Sequence, residues 1–236
     1  MHPAIDAAIF AACAMGTVQE VAWMAVGPSA ADAARMVRSL DVAVSVHLTY
    51  ASEWDRAKWS SITGRLDGAD GALPSSPADL RAVPPDLLIA EGVAQIARGR
   101  SLGLALDSFN FHIDAPAPGL AADIALAAGL PCRDIGMGLR PQPSWFNSFL
   151  DLSSRPDETK LQALLAFIAK RGDGRHCVVA HPGQDRARLE QLCSPAMGSR
   201  YSWAVDFRLS DADVLTDPDN AAAVRDALAR SGSRRA

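Results

Sequence analysis

The chain has 236 residues, of which 49% are hydrophobic and 21% charged, and its formal net charge is −4. This size and apolar content suit one large, well-packed domain, and the acidic balance argues against a nucleic-acid partner. No apolar stretch approaches the roughly 20 residues of a membrane span, and the segment after Met1 lacks a secretory signal pattern. Four widely spaced cysteines are typical of reduced thiols: Cys13, Cys132, Cys177 and Cys193. We therefore expect a cytoplasmic protein without a membrane partner.

Helical and strand-like patterns alternate through the first fifty residues. The spacing of apolar and β-branched residues predicts a helix over 4–14, a strand over 20–26, a helix over 29–39 and a strand over 42–48. Such alternation is typical of an α/β fold with parallel strands.

The segment 50–85 interrupts this alternation. It contains Trp54, Trp59, two Asp-Gly turns and several prolines, and it is too long for a simple connection. Because disordered segments are poor in aromatic residues, we expect a structured lid or a wall of the substrate site.

Regular elements return after residue 85. The pattern predicts helices over 86–98 and 119–128, a strand over 109–114, a helix with Asp157 as its N-cap, a strand over 177–180, and helices over 185–193 and 220–229. A tail follows over 230–236. Since no repeat and no second domain is evident, we expect a single domain over 1–236.

Three of the five histidines lie where a strand-like run gives way to a loop. These are His47, His112 and His181. Because the C-terminal ends of parallel strands meet at one edge of the sheet, the three imidazoles would form a metal or acid–base site there. The alternative is that each is a structural histidine with its own partners.

Four segments in order make the chain resemble the YdjC-like (ChbG/HpnK-type) carbohydrate deacetylases. The resemblance covers most of the chain, from about His2 to Pro218. The segments are Ala8-Ile9 through Gly16-Thr17-Val18, Val46 to Asp55, His112-Ile113-Asp114, and Ala180-His181-Pro182-Gly183.

The resemblance implies a distorted (β/α) TIM-like barrel with a divalent metal (Mg, Zn or similar) at its mouth. It implies hydrolysis of N-acetyl groups on acetylated amino sugars or chitooligosaccharides, with the metal polarising the amide carbonyl and activating water. His47 then corresponds to a metal ligand and His181 to a histidine near the catalytic centre. A homodimer is left open.

The chain departs from the family pattern at two places. The family's first strand ends in Ala-Asp-Asp-Phe-Gly, which would precede Met1 here, so the barrel as given lacks its first strand. We therefore expect an in-frame upstream segment of roughly a dozen residues, enough for a strand and its loop. The family's His-x-Asp-Ser-His motif also ends at Pro116, which cannot coordinate a metal. If the chain is complete as given, we expect little or no deacetylase activity.

A shifted metal site is one way to replace the missing ligand. Side chains at alternate strand positions share a face, so His112, Asp114 and residue 116 would look toward the barrel mouth, where His112 and Asp114 could join His47. Alternatively, they orient a ligand that has been lost.

Three further residues are candidates for substrate binding: Trp54 for the apolar face of a sugar, and Glu53 and Arg140 for its polar groups. Two other functions stay open. The chain could be a non-catalytic relative that binds a glycan or a protein partner, or another barrel hydrolase with a rebuilt metal site.

Overall fold

The structure is a computed structural model that describes residues 1–133 and 145–232. The strands are Glu20–Trp23 (β1), Ala43–Leu48 (β2), Ser108–Phe111 (β3), Ser148–Asp151 (β4) and His176–Val179 (β5). The α-helices are Pro3–Ala14 (α1), Ala30–Val37 (α2), Pro85–Ser101 (α3), Leu120–Ala128 (α4), Lys160–Lys170 (α5), Arg186–Leu189 (α6), Ser199–Ala204 (α7), Asp206–Thr216 (α8) and Pro218–Gly232 (α9).

The first of two compact units contains Met1–His2 and the described residues from Glu20 onward up to Arg133. Its parallel sheet has the order β1-β2-β3, and an isolated parallel bridge joins Phe109 to Cys132. Strand β2 buries side chains on both faces, which is typical of parallel strands. Its register with β3 places His47 opposite Asn110.

The second unit contains Pro3–Gln19 and the described residues from Trp145 onward. Strands β4 and β5 pair in parallel, with Ser148 opposite His176 and Asp151 opposite Val179. Helices α1, α5, α8 and α9 supply most of the apolar cluster that packs with β4. Its buried members are Ala12, Leu150, Leu152, Leu164, Ile168, Val214, Leu215, Val224 and Ala227.

The α/β class is confirmed, because parallel strands alternate with helices in both units. Closure into a TIM-like barrel and the single domain over 1–236 stay predictions. Gly129 ends α4 in the left-handed conformation, where glycine is favoured, as the predicted helix end at 128 requires. No helix within residues 1–133 and 145–232 is both long and apolar enough to cross a membrane.

Several element boundaries differ from the sequence predictions. Strand β3 ends at Phe111, so residues 112–116 lie beyond it and the predicted strand over 109–114 is wrong at its C-terminal end. Asp157 begins a short 3₁₀ turn over Asp157–Thr159 and is not the N-cap of α5. Strand β4 and helices α7 and α8 were not predicted, since β4 has only four residues and follows a polar loop.

Candidate active site

His47 lies one residue before the end of β2 and is held by a neighbouring strand. Its Nδ1 atom contacts Asn110 Oδ1, while Asn110 Nδ2 donates to Ser45 Oγ at 3.4 Å. Because the amide nitrogen of Asn110 is directed to Ser45, its oxygen faces the imidazole and accepts the Nδ1–H of His47. In the neutral ring the lone pair therefore lies on Nε2, the arrangement usual for a metal-binding histidine.

His112 follows β3 directly and is held by a carboxylate. Its Nε2 lies 2.9 Å and 3.0 Å from the two carboxylate oxygens of Glu53. The imidazole donates Nε2–H to this acceptor, so the lone pair of the neutral ring lies on Nδ1. That Nδ1 atom is buried and has no hydrogen-bond partner in the part of the chain that the structure describes. The His112 side chain is only 8% exposed, so bulk water does not compensate this atom.

The two imidazoles are neighbours within the first unit. The ring centroids of His47 and His112 are 5.0 Å apart, with the planes at 78°. The ring of Trp59 packs against His112 at 5.7 Å, and Trp54 packs against Trp59 at 5.2 Å. Trp54 and Trp59 are each 3% exposed, so neither offers an open face to a sugar; Trp54 supports the wall that Trp59 forms beside His112. Glu53 is likewise engaged with His112.

The predicted shared face of His112, Asp114 and Pro116 does not exist, because all three lie beyond the end of β3. Asp114 is exposed, whereas Pro116 is buried. Among the described residues, no group of three or more His, Cys, Asp or Glu side chains could hold a metal ion. Asp114 therefore has no geometric support as a ligand. The chemistry of His47 and His112 still fits two imidazole donors, since one ring has its tautomer fixed and the other has a buried Nδ1 without a partner.

The long segment over 50–85 is ordered by hydrogen bonds within itself and to α3. Within it, Ser52 N–H donates to Pro74 O and Leu73 N–H to Trp59 O, both at 2.8 Å. From α3, the fully buried carboxylate of Glu91 accepts the backbone N–H groups of Ile62 and Thr63, each at 2.9 Å.

Buried Tyr50 joins the start of this segment to α3. Its hydroxyl donates to Leu88 O at 2.7 Å. Burial, reinforced by the charge of Glu91, raises the pKa of Tyr50 far above its usual range. The segment is therefore structured, as its tryptophans indicated, whereas its role as a lid or a wall of a substrate site stays a prediction.

His181 lies in the second unit, two residues after β5, where a different network surrounds it. Its Nδ1 lies 2.8 Å from Ser153 Oγ, and Ser153 also donates to Asp211 Oδ2. The same carboxylate oxygen accepts the backbone N–H of His181 at 2.7 Å. On its other oxygen, Asp211 accepts from Lys160 Nζ at 2.6 Å. We call Ser153, Lys160, His181 and Asp211 the His181 network.

The charged part of this network is deeply buried. The side chains of Lys160 and Asp211 are both 0% exposed, and the Lys160 ammonium also contacts Phe207 O at 3.4 Å. A buried carboxylate and ammonium are tolerable only when they are paired and hydrogen-bonded, and both conditions hold here.

Sequence reasoning missed Asn110, Ser153, Lys160 and Asp211. Asn110 could have been found from the sequence, because it is a polar residue between two Phe residues of a predicted strand. The other three gave no local signal, because each lies at least 20 residues from His181 along the chain. Arg140, predicted to contact substrate, lies outside the described residues.

Comparison with known proteins adds a family and a fold. A family model described as YdjC-like protein matches residues 1–226. No curated protein gives a significant match to the chain. The crystal structure of a candidate cellobiose-phosphate cleavage protein from Enterococcus faecalis V583 has a TM-score of 0.73 at 18% identity, covering 95% of this chain and 90% of that one. At that identity the likeness indicates a shared fold alone.

Proposed function

Because the chain belongs to the YdjC-like family, we propose that it removes N-acetyl groups from acetylated amino sugars or chitooligosaccharides. The family includes carbohydrate deacetylases, so membership supports a carbohydrate-related hydrolase. The proposal adds the amide bond as the target and a divalent metal as the cofactor.

The observation that carries the proposal is the imidazole pair of the first unit. His47 presents Nε2 as its lone-pair atom, and His112 presents a buried Nδ1 without a partner among the described residues. Two imidazoles that share a zinc ion, with Zn–N distances of about 2.0–2.1 Å, have ring centroids about 5 Å apart. The observed separation of 5.0 Å agrees with this value. Imidazole donors also favour zinc over magnesium.

The surrounding residues prepare these two donors. Asn110 and Glu53 each take the hydrogen of the opposite ring nitrogen, so that each lone pair is fixed on one atom. A divalent metal, when bound, supplies Lewis acidity toward the amide carbonyl and toward water. His181 would transfer a proton at Nε2, because its Nδ1 is engaged with Ser153. Trp59 packs against His112 and would hold its ring in place.

Acetate release tests this proposal. Purified protein is incubated with acetylated chitooligosaccharides and with zinc, nickel or magnesium, and acetate is measured over time. Although the departures from the family pattern predict little activity for the chain taken as complete, the His47–His112 pair leads us to expect metal-dependent release that His47→Gln abolishes. The matched control is His176→Gln, since His176 bonds to Ser148 and to Gly172 O in the second unit. Absence of acetate with every metal, or release insensitive to His47→Gln, would contradict the proposal.

A second candidate is a non-catalytic relative that binds a glycan. It is favoured by Pro116, which stands where the family pattern has a ligand, and by the lack of a group of three metal-binding side chains in residues 1–133 and 145–232. Calorimetric titration with chitooligosaccharides separates the two. Binding without acetate release in the presence of any divalent metal supports this second function.

A further inference from the structure

The direction of each hydrogen bond in the His181 network follows from the chemistry of its members. Asp211 receives the Lys160 ammonium on Oδ1 and the His181 backbone N–H on Oδ2. An ionised carboxylate only accepts, so the hydroxyl of Ser153 must donate its single hydrogen to Asp211 Oδ2.

This direction determines where the hydrogen lies on His181. Once the Ser153 hydroxyl has donated to Asp211, its oxygen can only accept, and the group 2.8 Å away is His181 Nδ1. Nδ1 must therefore carry the hydrogen. The neutral imidazole is then basic at Nε2, and the buried hydroxyl links the ring to the carboxylate.

We propose that Ser153 and Asp211 are positioning residues that hold His181 as the Nδ1–H tautomer and make Nε2 its proton-exchanging atom. Lys160 makes this possible, because its ammonium pairs with the Asp211 carboxylate at a place where both side chains are 0% exposed. The tautomer follows from the network alone, whereas its effect on the reaction rests on the proposed function.

A second set of contacts fixes the orientation of the ring. Asp211 holds the backbone of His181 through the same oxygen that accepts the Ser153 hydroxyl. One carboxylate therefore positions both the main chain and the side chain of His181. The ring of Trp203 packs edge-on against the imidazole, with centroids 5.5 Å apart. Ring rotation would break the Ser153 contact and this packing together.

Nitrogen NMR of the folded full chain tests the tautomer directly. With ¹⁵N-labelled histidine, the neutral ring of His181 should show a protonated Nδ1 and a non-protonated Nε2, its signals being assigned by their loss in His181→Gln. Ser153→Ala removes only the hydroxyl and should increase the Nε2–H population. Ser154→Ala is the matched control, because this neighbouring hydroxyl is exposed and donates to Asp151 O at 3.3 Å. Ser153→Thr, which keeps the hydroxyl, should retain the wild-type tautomer.

The proposal is overturned if the wild-type ring carries its hydrogen on Nε2, or if Ser153→Ala leaves the tautomer unchanged. In the acetate assay, Ser153→Ala should lower kcat by roughly tenfold or more, with little change in KM; the roughly 10²–10⁴ that a proton-transferring side chain contributes as a whole sets the upper limit. If Ser153→Ala shifts the tautomer but the protein releases no acetate, the positioning role is supported and the proposed function is contradicted. Acetate release with kcat unaffected by Ser153→Ala would retain the function and remove the catalytic part of this inference.

Discussion

His112 in the first unit and His181 in the second are both held by acidic residues, but in opposite ways. Glu53 contacts His112 directly and is 16% exposed, and the second ring nitrogen is left buried without a partner in the described chain. Asp211 reaches the His181 imidazole through the Ser153 hydroxyl, accepts the His181 backbone N–H directly, and is 0% exposed. An unsatisfied buried polar atom costs about 1–3 kcal/mol. The first arrangement therefore resembles a site that a ligand completes, and the second a rigid support.

The largest effect is expected from breaking the buried pair of the second unit. Asp211→Asn removes the buried counter-ion of Lys160 and leaves its ammonium with the more distant Asp157, at 3.8 Å, so it should destabilise the protein by about 3–5 kcal/mol. Adding Lys160→Met should recover much of the loss, since the pair acts as a unit. Urea unfolding of the wild type, both single variants and the double variant measures this coupling.

Asp206→Asn is the matched control for that cycle. Asp206 bonds Arg186 at 2.8 Å, but the two side chains are 43% and 53% exposed, so no clear change in the unfolding midpoint is expected. An Asp211→Asn variant as stable as Asp206→Asn would mean that the Lys160–Asp211 pair does not hold the second unit together.

A smaller effect is expected on metal affinity in the first unit. Glu53→Gln keeps the size of the side chain but weakens its hold on His112 Nε2–H, and should lower zinc affinity roughly 10–100-fold. Competition with a coloured chelator measures the change. Glu20→Gln is a suitable control, because Glu20 lies in the same unit but bonds Arg133. Equal affinity in the wild type, Glu53→Gln and His112→Gln would show that His112 does not bind the metal.

The smallest effect is expected in alkaline solution. Because burial raises the pKa of Tyr50 in the folded chain, the unfolded chain loses its proton first, from pH of about 10 upward. Stability should therefore fall above that pH, by at most about 1.4 kcal/mol per pH unit. Tyr50→Phe should flatten this part of the stability profile in urea unfolding. An identical slope in both proteins would contradict the assignment.

Cys13 gives the corresponding test in the second unit. Its burial raises the thiol pKa from 9.0 to about 11, so the unfolded chain again releases its proton first. The unfolded chain releases this proton about one pH unit lower than the proton of Tyr50, so stability should begin to fall at that lower pH. Cys13→Ala should remove this fall.

The sequence predicted the positions of the histidines better than their partners. Each of the three lies within two residues of the C-terminal end of a parallel strand, as the change from apolar run to loop indicated: His47, His112 and His181. Strand β3, however, pairs with β2 only as far as Phe111 opposite Leu48, and this limit depends on tertiary pairing. The argument from a shared strand face failed for Asp114 and Pro116 for that reason.

The His181 network could not be predicted because its members are distant in sequence. Lys160 stands in the first turn of α5, where a lysine is ordinarily solvated, and only the packing of α8 brings Asp211 to it. Glu53 was noticed as a polar residue beside a tryptophan, but its partner His112 lies 59 residues away. Residue type identified these candidates, whereas long-range contacts determined their roles.

The buried carboxylate of Glu91 has a consequence for how the wall beside His112 can vary. One helix side chain accepts the main-chain N–H groups of Ile62 and Thr63, so these two bonds do not depend on the side chains there, although the Thr63 hydroxyl adds a third bond to Glu91 at 2.8 Å. The exposed turn over 68–71 lies outside this anchor. Amino-acid changes in that turn could therefore accumulate during evolution without detaching the segment that Glu91 anchors. The exposed turn is free to diversify while the structure beneath it is maintained.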